Sequence, residues 1–138
     1  MIRRLEATDY PALHRLQQRA YQIEADIIRV SDFPPLQQTA AQLVHEQPNG
    51  YVYCLNEQLV GALTIEQETI TRLVVAPEHF RQGIAKQLLR HVLAKHRLHF
   101  VSTAAANLPA IALYQQFGFQ QINQVSRDAI VLVTLKRE

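Results

Sequence analysis

Leu73-Val-Val-Ala-Pro-Glu-His-Phe-Arg-Gln-Gly-Ile-Ala-Lys-Gln-Leu-Leu89 is the stretch on which the reading of this chain turns. Leu73, Val74 and Val75 are apolar and largely β-branched, as in a buried strand. Pro77 ends that strand because it has no N–H to give to a ladder. Gly83 allows a bend and a close approach of backbone to a ligand. Beyond it, Ile84, Leu88 and Val92 recur every four positions, with Ala85, Leu89 and Leu93 alongside, which predicts a helix with one buried face. The free N–H groups and positive dipole end of that helix then face the end of the strand. Arg81 and Lys86 add full charges, with Gln82 between them and Gly83. Read from residues alone, this is an anion-binding mouth for phosphate or carboxylate, or simply a strand–turn–helix connection.

Outward from this stretch the pattern is mixed. Ile2–Leu5 reads as a short strand. Asp9 reads as a helix N-cap, with Pro11 in the first turn, where a missing N–H costs nothing. Leu13, Leu16, Ala20, Ile23 and Ile27 mark one helical face out to about Arg29, and the prolines of Val30–Leu36 stop it. Thr39–Glu46 predicts a second short helix, closed by a turn at Pro48-Asn49-Gly50. From Tyr51 the period changes. Tyr51–Leu55 and Leu59–Ile65 predict a hairpin around Asn56-Glu57-Gln58, and Ile70–Val75 a third antiparallel strand. Leu98–Thr103 returns to strand after the central helix, making a strand–helix–strand unit with parallel pairing. A helix over Asn107–Phe117 stops at Gly118. Phe119–Val125 and Ala129–Leu135 close the chain as a hairpin.

The 138 residues suit one domain spanning 1–138, 48% hydrophobic and 19% charged, as in an ordinary soluble protein. No apolar run reaches the roughly 18 residues of a membrane span. The start, MIRRLEATDY, has no apolar segment of a signal peptide. The single cysteine, Cys54, has no internal partner, so a cytoplasmic, reducing location is expected. Net charge is +2 and the basic residues are spread along the chain, which argues against a nucleic-acid partner. His91, His96 and His99 do not share a helix face and have no cysteine beside them, so no metal site is expected. No serine sits in a nucleophile elbow.

A second segment, Asn107-Leu-Pro-Ala-Ile-Ala-Leu-Tyr-Gln-Gln-Phe-Gly-Phe119, follows the central loop by about 25 residues with a strand between. Asn107 suits a helix N-cap. Tyr114 alone suits a core tyrosine with a satisfied hydroxyl. Together the two segments resemble the two coenzyme A motifs of the GNAT superfamily of N-acetyltransferases. Val75, Pro77, Gly83 and Ala85 match the first motif, while Phe80 stands where the family usually has Arg or Gln, with Arg81 next to it. Asn107, Ala110, Leu113-Tyr114 and Gly118-Phe119 match the second at every position. The resemblance covers nearly the whole chain, is sharpest over Leu73–Phe119 and weakest before Tyr51.

It implies an α/β fold: a mixed sheet of six or seven strands, mostly antiparallel, with a parallel splayed pair in the middle and about four flanking helices. It implies acetyl-coenzyme A as co-substrate, bound by Leu73, Val74, Val75, Arg81, Gln82, Gly83, Ile84, Ala85, Lys86, Asn107, Ala110 and Tyr114. The implied activity is transfer of an acetyl group to a primary amine of a small molecule or peptide by direct attack. In that chemistry the Val75 backbone N–H is the oxyanion donor and Tyr114 the general acid. An amine of pKa about 10.4 is roughly one part in a thousand or less neutral at pH 7, so a base helps. Many family members place a Glu where this chain has Thr71. Glu66 is then the carboxylate expected to act, through water, with Glu68 and His79 as other choices. Tyr21, Glu24 and Phe33, near Asp26 and Asp32, are expected to receive the cationic acceptor, against a stiff Phe33-Pro34-Pro35 wall. The different reading is a catalytically silent sensor or docking domain that binds acetyl-coenzyme A, which Thr71 leaves open. Either a monomer or a homodimer is compatible with the sequence.

Overall fold

The computed structural model describes residues 1–127 and 129–138. In chain order the elements are β1 (Ile2–Arg4), α1 (Tyr10–Ile28), α2 (Ala40–Glu46), β2 (Asn49–Leu55), β3 (Gln58–Glu66), β4 (Thr69–Val75), α3 (Ile84–Lys95), β5 (Phe100–Ala104), α4 (Leu108–Gln116), β6 (Gln120–Arg127) and β7 (Ile130–Lys136). The strands form one sheet in the order β1-β2-β3-β4-β5-β7-β6, and β4–β5 is the single parallel pair among the described residues. The expected mixed sheet, with a parallel pair in the middle and four helices, is thus the fold observed. No helix among the described residues is long and apolar enough to cross a membrane.

The antiparallel half follows from local turn chemistry. Asn56 and Glu57 both take left-handed backbone (φ 50° and 66°), which matches the twist of a two-residue hairpin joining β2 to β3. Gly61 of β3 faces α3, where a Cβ would lie 2.8 Å from Ile84. Three residues on, Thr64 points to the opposite face, where it meets Arg72 and lies beneath α1 and α2. The core therefore has two layers: Leu88, Leu89 and Val92 of α3 on one face, and Leu13 and Leu16 of α1 with Leu43 of α2 on the other.

The feature that positions a site is the parting of β4 from β5. Their ladder holds two pairs only, Thr69↔Phe100 and Ile70↔Val101. Beyond it β4 stays with β3 as far as Gly61↔Val75, and β5 stays with β7 as far as Ala104↔Leu132. The parting begins where β4 carries an extra residue. Thr64 pairs with Arg72 and Ile65 with Ile70, which leaves Thr71 as a bulge. A bulge bends its strand and increases the local twist. Here the Thr71 hydroxyl is held by the Thr64 hydroxyl at 2.7 Å.

Two local expectations are corrected. Asp9 precedes α1, yet its carboxylate caps nothing there. It accepts both prongs of the Arg3 guanidinium, each at 2.8 Å, and the Glu6 N–H, also at 2.8 Å. A charged fork outcompetes a neutral amide for the same oxygens. Pro48-Asn49-Gly50 is not a turn either. Gln47 (φ 53°) reverses the chain by itself, and Asn49 and Gly50 open β2. A Cβ on Gly50 would lie 2.0 Å from the Leu63 carbonyl oxygen, so the glycine serves close strand approach. Thr39 does start α2, through a reciprocal pair in which Thr39 Oγ1 accepts from Gln42 N–H and Gln42 Oε1 accepts from Thr39 N–H.

Gly50→Ala is expected to push β2 off β3 and lower stability by about 3 kcal/mol. For a chain of this size that lowers the thermal midpoint by roughly 10 °C, measurable by circular dichroism. The Arg3 fork holds the Asp9 carboxyl below its ordinary 3.8. Its stabilisation is therefore fully present above that value and is lost as pH falls through the lower, folded one. Asp9→Asn should flatten that part of the acid-unfolding curve; an unchanged curve would count against the pairing.

Candidate active site

The wedge between β4 and β5 exposes backbone. Ala76 N–H donates to the Val60 carbonyl at 2.8 Å, so residues of even number near this end of β4 turn their backbone groups toward β3. The strand alternation then turns the N–H and C=O of Leu73 and Val75 into the opening. Val75 is the last residue of β4, so its N–H lies at the mouth.

Beyond Val75 the chain makes a short helical turn over Pro77–His79, then places Arg81 (φ 64°) and Gly83 (φ 81°) in left-handed backbone before α3 begins. A Cβ at Gly83 would meet nothing within 4 Å, so the glycine answers a backbone demand and not crowding. Gln87 N–H is the first in α3 to bond within the helix, to the Gly83 carbonyl at 3.0 Å. The N–H groups of Ile84, Ala85 and Lys86 therefore have no acceptor in the helix. Left-handed residues beside a helix start, free amides, and the Arg81 and Lys86 side chains together form a cradle suited to a pyrophosphate. An Arg19–Glu78 ion pair ties this loop to α1.

A cleft of about 670 Å³ runs from this cradle into the wedge. A second cavity of about 850 Å³ lies beyond, between the segment after α1, the parted faces of β4 and β5, and the β6–β7 end of the sheet. Tyr21, Glu24, Leu73, Asn107, Ala110 and Tyr114 line both, so the two cavities meet at a waist made by these residues.

Titratable groups at the waist are perturbed. Tyr114 of α4 is 6% exposed and packs edge-on to Phe119. Burial, then the nearby Glu24 and Tyr21, raise its phenol well above the usual tyrosine range, so it stays protonated. Its hydroxyl makes no hydrogen bond among the described residues and is not sealed from the cavity. Glu24 is half-buried, and burial raises its carboxyl above the ordinary value while the Asn107 side chain opposes the rise. Asn107 also caps α4, its Oδ1 accepting from Ala110 N–H at 3.3 Å. Burial raises the Tyr21 phenol too, with Arg72 opposing.

Sequence reading overlooked Arg72. It is buried under the second cavity, with its guanidinium on Glu46 (2.9 Å), Thr64 Oγ1 (3.2 Å) and Gln38 Oε1 (3.3 Å). Burial alone would lower its pKa, but Glu46 and Tyr21 more than offset this and hold it charged. Arginine in the strand-like run Ile70–Val75, otherwise apolar but for Thr71, was the available signal, because a buried charge demands partners from elsewhere in the fold.

The other expected site residues divide plainly. Leu73, Val74, Val75, Arg81, Gly83, Ile84, Ala85, Lys86, Asn107, Ala110 and Tyr114 all line the first cleft. Tyr21 and Glu24 stand at the waist, and Phe33 walls the second cavity edge-on to Tyr21 at 6.1 Å. Gln82 is not among the residues lining the cleft and bonds His79, which is. Glu66 is not brought to the site. It pairs with Thr69 at the far end of β4, roughly 20 Å from Val75 at the usual strand rise. Thr71 is the bulge residue bonded to Thr64. His91 and His96 both pack on Tyr51, while His99 bonds the Arg137 carbonyl.

The sequence is 36% identical to the UPF0157 protein YqkA of Bacillus subtilis over 94% of this chain, which spans only 40% of that longer protein. It is 28% identical to the [ribosomal protein bS18]-alanine N-acetyltransferase of Escherichia coli, covering 87% of this chain and 80% of that one. The PaiA N-acetyltransferase of Thermoplasma acidophilum, solved in complex with coenzyme A, superposes with a TM-score of 0.71 at 16% identity, over 99% of this chain and 98% of that one. The model of the acetyltransferase (GNAT) family matches residues 10–119. That span runs from the first residue of α1 to the residue before β6 and takes in both motifs and the wedge between them, so the chain belongs to the acetyltransferase (GNAT) family.

Proposed function

We propose that the protein transfers an acetyl group from acetyl-coenzyme A to a primary amine of a small molecule or peptide, by direct attack within the waist. The observation that carries this reading is the pairing there of a buried, unbonded Tyr114 hydroxyl with Glu24, where a donor cleft meets an acceptor cavity. A sensor that only binds the donor needs the cradle; it does not need an acid and a carboxylate where two cavities join.

In this reading the loop amides around Gly83–Lys86, with Arg81 and Lys86, hold the pyrophosphate of the donor. Leu73 and Val75 offer backbone groups along the wedge, and Asn107 and Ala110 line its other side. When bound, acetyl-coenzyme A supplies a thioester whose carbonyl oxygen gains charge as the amine adds. Val75 N–H donates to that oxygen, a contribution of several kcal/mol for an aligned donor. The base role falls to Glu24 and not to Glu66, since Glu24 alone of the two stands at the site.

The protons balance between two residues. Glu24 accepts the proton that the amine sheds as the carbon–nitrogen bond forms, and Tyr114 donates to the sulfur as the carbon–sulfur bond breaks. Proton return from Glu24 to Tyr114 through water resets the site, so the net transfer is from nitrogen to sulfur. A thiol of pKa about 8.5 is the stronger acid of the pair, so Tyr114 helps chiefly by hydrogen bonding while negative charge builds on sulfur. Tyr21 and Phe33 form the aromatic wall that meets the arriving ammonium.

Tyr114→Phe is expected to lower kcat about 10²- to 10⁴-fold while coenzyme A binding stays within about two-fold, by thiol release and calorimetry. Equal turnover in parent and variant would remove Tyr114 from the chemistry. For Glu24, the rate should rise with pH through a carboxyl titrating above its ordinary value, since burial raises it and only the ionised form accepts a proton. Glu24→Gln should lower kcat and abolish that acidic limb, and persistence of the limb in the variant would assign it to another group.

A further inference from the structure

We propose that the acceptor is a primary amine that also carries an anionic group, set apart from the amine by a spacer of several bonds and received by Arg29 and Arg127. This rests on the acetyl-transfer reading, which leaves the acceptor's other end unspecified.

The charges along the second cavity are sorted by depth. At the waist stands the carboxylate Glu24, where the amine must arrive. Away from it, the described lining carries Arg29 and Arg127 against Asp32, a net positive charge among the described residues. Arg72, the remaining cation of the lining, has its charge met by Glu46. Arg29 makes no ion pair among the described residues. A cavity negative at its inner end and positive at its mouth matches a dipolar ligand better than a simple alkylamine or a polyamine, whose distal cation the arginines would repel.

Helix geometry sets the spacing. Glu24 lies in the last turns of α1 and Arg29 is the left-handed residue that closes it. Five residues at the helical rise separate them by about 7.5 Å along the axis. An amine and a carboxylate separated by about six bonds span a similar distance, as in ω-aminohexanoate or a dipeptide ending in an acidic residue. The cavity, about 850 Å³, accepts either. Arginine suits the far end because its planar fork pairs bidentately with a carboxylate.

The test is calorimetric titration of the full chain, with and without unreactive coenzyme A, using ω-aminohexanoate, hexylamine, hexanoate and glycyl-glutamate. At least one of the two dipolar compounds should bind about ten-fold tighter than hexylamine and hexanoate, the scale of a charge-assisted pair at a partly exposed site. Which of the two binds tighter distinguishes a free amino acid from a peptide terminus as the source. In Arg29→Ala/Arg127→Ala the advantage should fall to within about two-fold, and in Arg29→Glu/Arg127→Glu the preference should move to hexanediamine. Equal affinities, no measurable binding of the dipolar compounds, or an advantage that survives both double variants would overturn the proposal. Acetyl transfer to the same compounds, followed by thiol release, is read separately. Selective binding without transfer would sink the catalytic reading and leave this one standing; transfer without selectivity would do the reverse.

Discussion

The fold turns on an extra residue in β4. Thr71 bulges out of the β3–β4 ladder at the position where the β4–β5 pairing ends, and its hydroxyl is clasped by Thr64. Two parallel strands that kept their register would share every backbone group and leave no room between them. Bending one of them opens a wedge while each keeps its outer partner, so the sheet remains continuous at the closed end. The freed N–H and C=O groups of Leu73 and Val75 are then a polar lining obtained without any polar side chain. An unpaired strand edge inside a protein is costly unless something bonds it, and an extended ligand laid along the wedge meets that need.

Arg72 anchors this arrangement from the other face. Its guanidinium reaches Glu46 at the end of α2, Gln38 ahead of that helix and Thr64 across the bulge. A buried arginine is tolerated only with such partners, so the segment between α1 and α2 is drawn down onto β4 where the strand departs from β5. The same segment carries Phe33, which sets the edge of Tyr21 against the second cavity. One charged side chain thus couples the bend of the strand to the placement of one wall of the second cavity.

The waist shows how burial sorts protonation states. Burial raises Glu24 and Tyr114 alike, which disfavours the ionised form of each. In the proposed reaction the raised carboxyl is the stronger base once ionised, and the raised phenol keeps its proton and hydrogen-bonds the sulfur as charge builds there. Asn107, which caps α4 and also steadies the ionised form of Glu24, links the second motif to this balance.

Local signals were strong over much of the chain. The hairpin around Asn56-Glu57-Gln58, the short helix beginning at Thr39, the Asn107 cap, the bend at Gly83 and the four-residue period of α3 each depend on a few neighbouring residues, so they were legible before any tertiary structure. The cradle and the α4 motif with Tyr114 were legible through their resemblance to the two coenzyme A motifs of the GNAT family, since the residues alone left an anion mouth or a simple turn. What the sequence left open depended on contacts between segments far apart in the chain. Asp9 was claimed by Arg3 of β1, Gly50 was needed for the approach of β3, and Glu66 was carried to the wrong end of β4 by the strand register. Thr71, read only as a missing carboxylate, became the bulge because β3 and β4 disagree by one residue. Glu24 reached the waist because α1 lies across the wedge, and Arg72 found its partners in α2. Sequence by itself determined the elements, since capping, turn and periodicity energies are local, and it marked the donor motif by its family pattern. Tertiary structure alone brought Glu24, Tyr21 and Tyr114 together and formed the second cavity, since both exist only where the parted strands, α1 and α4 converge.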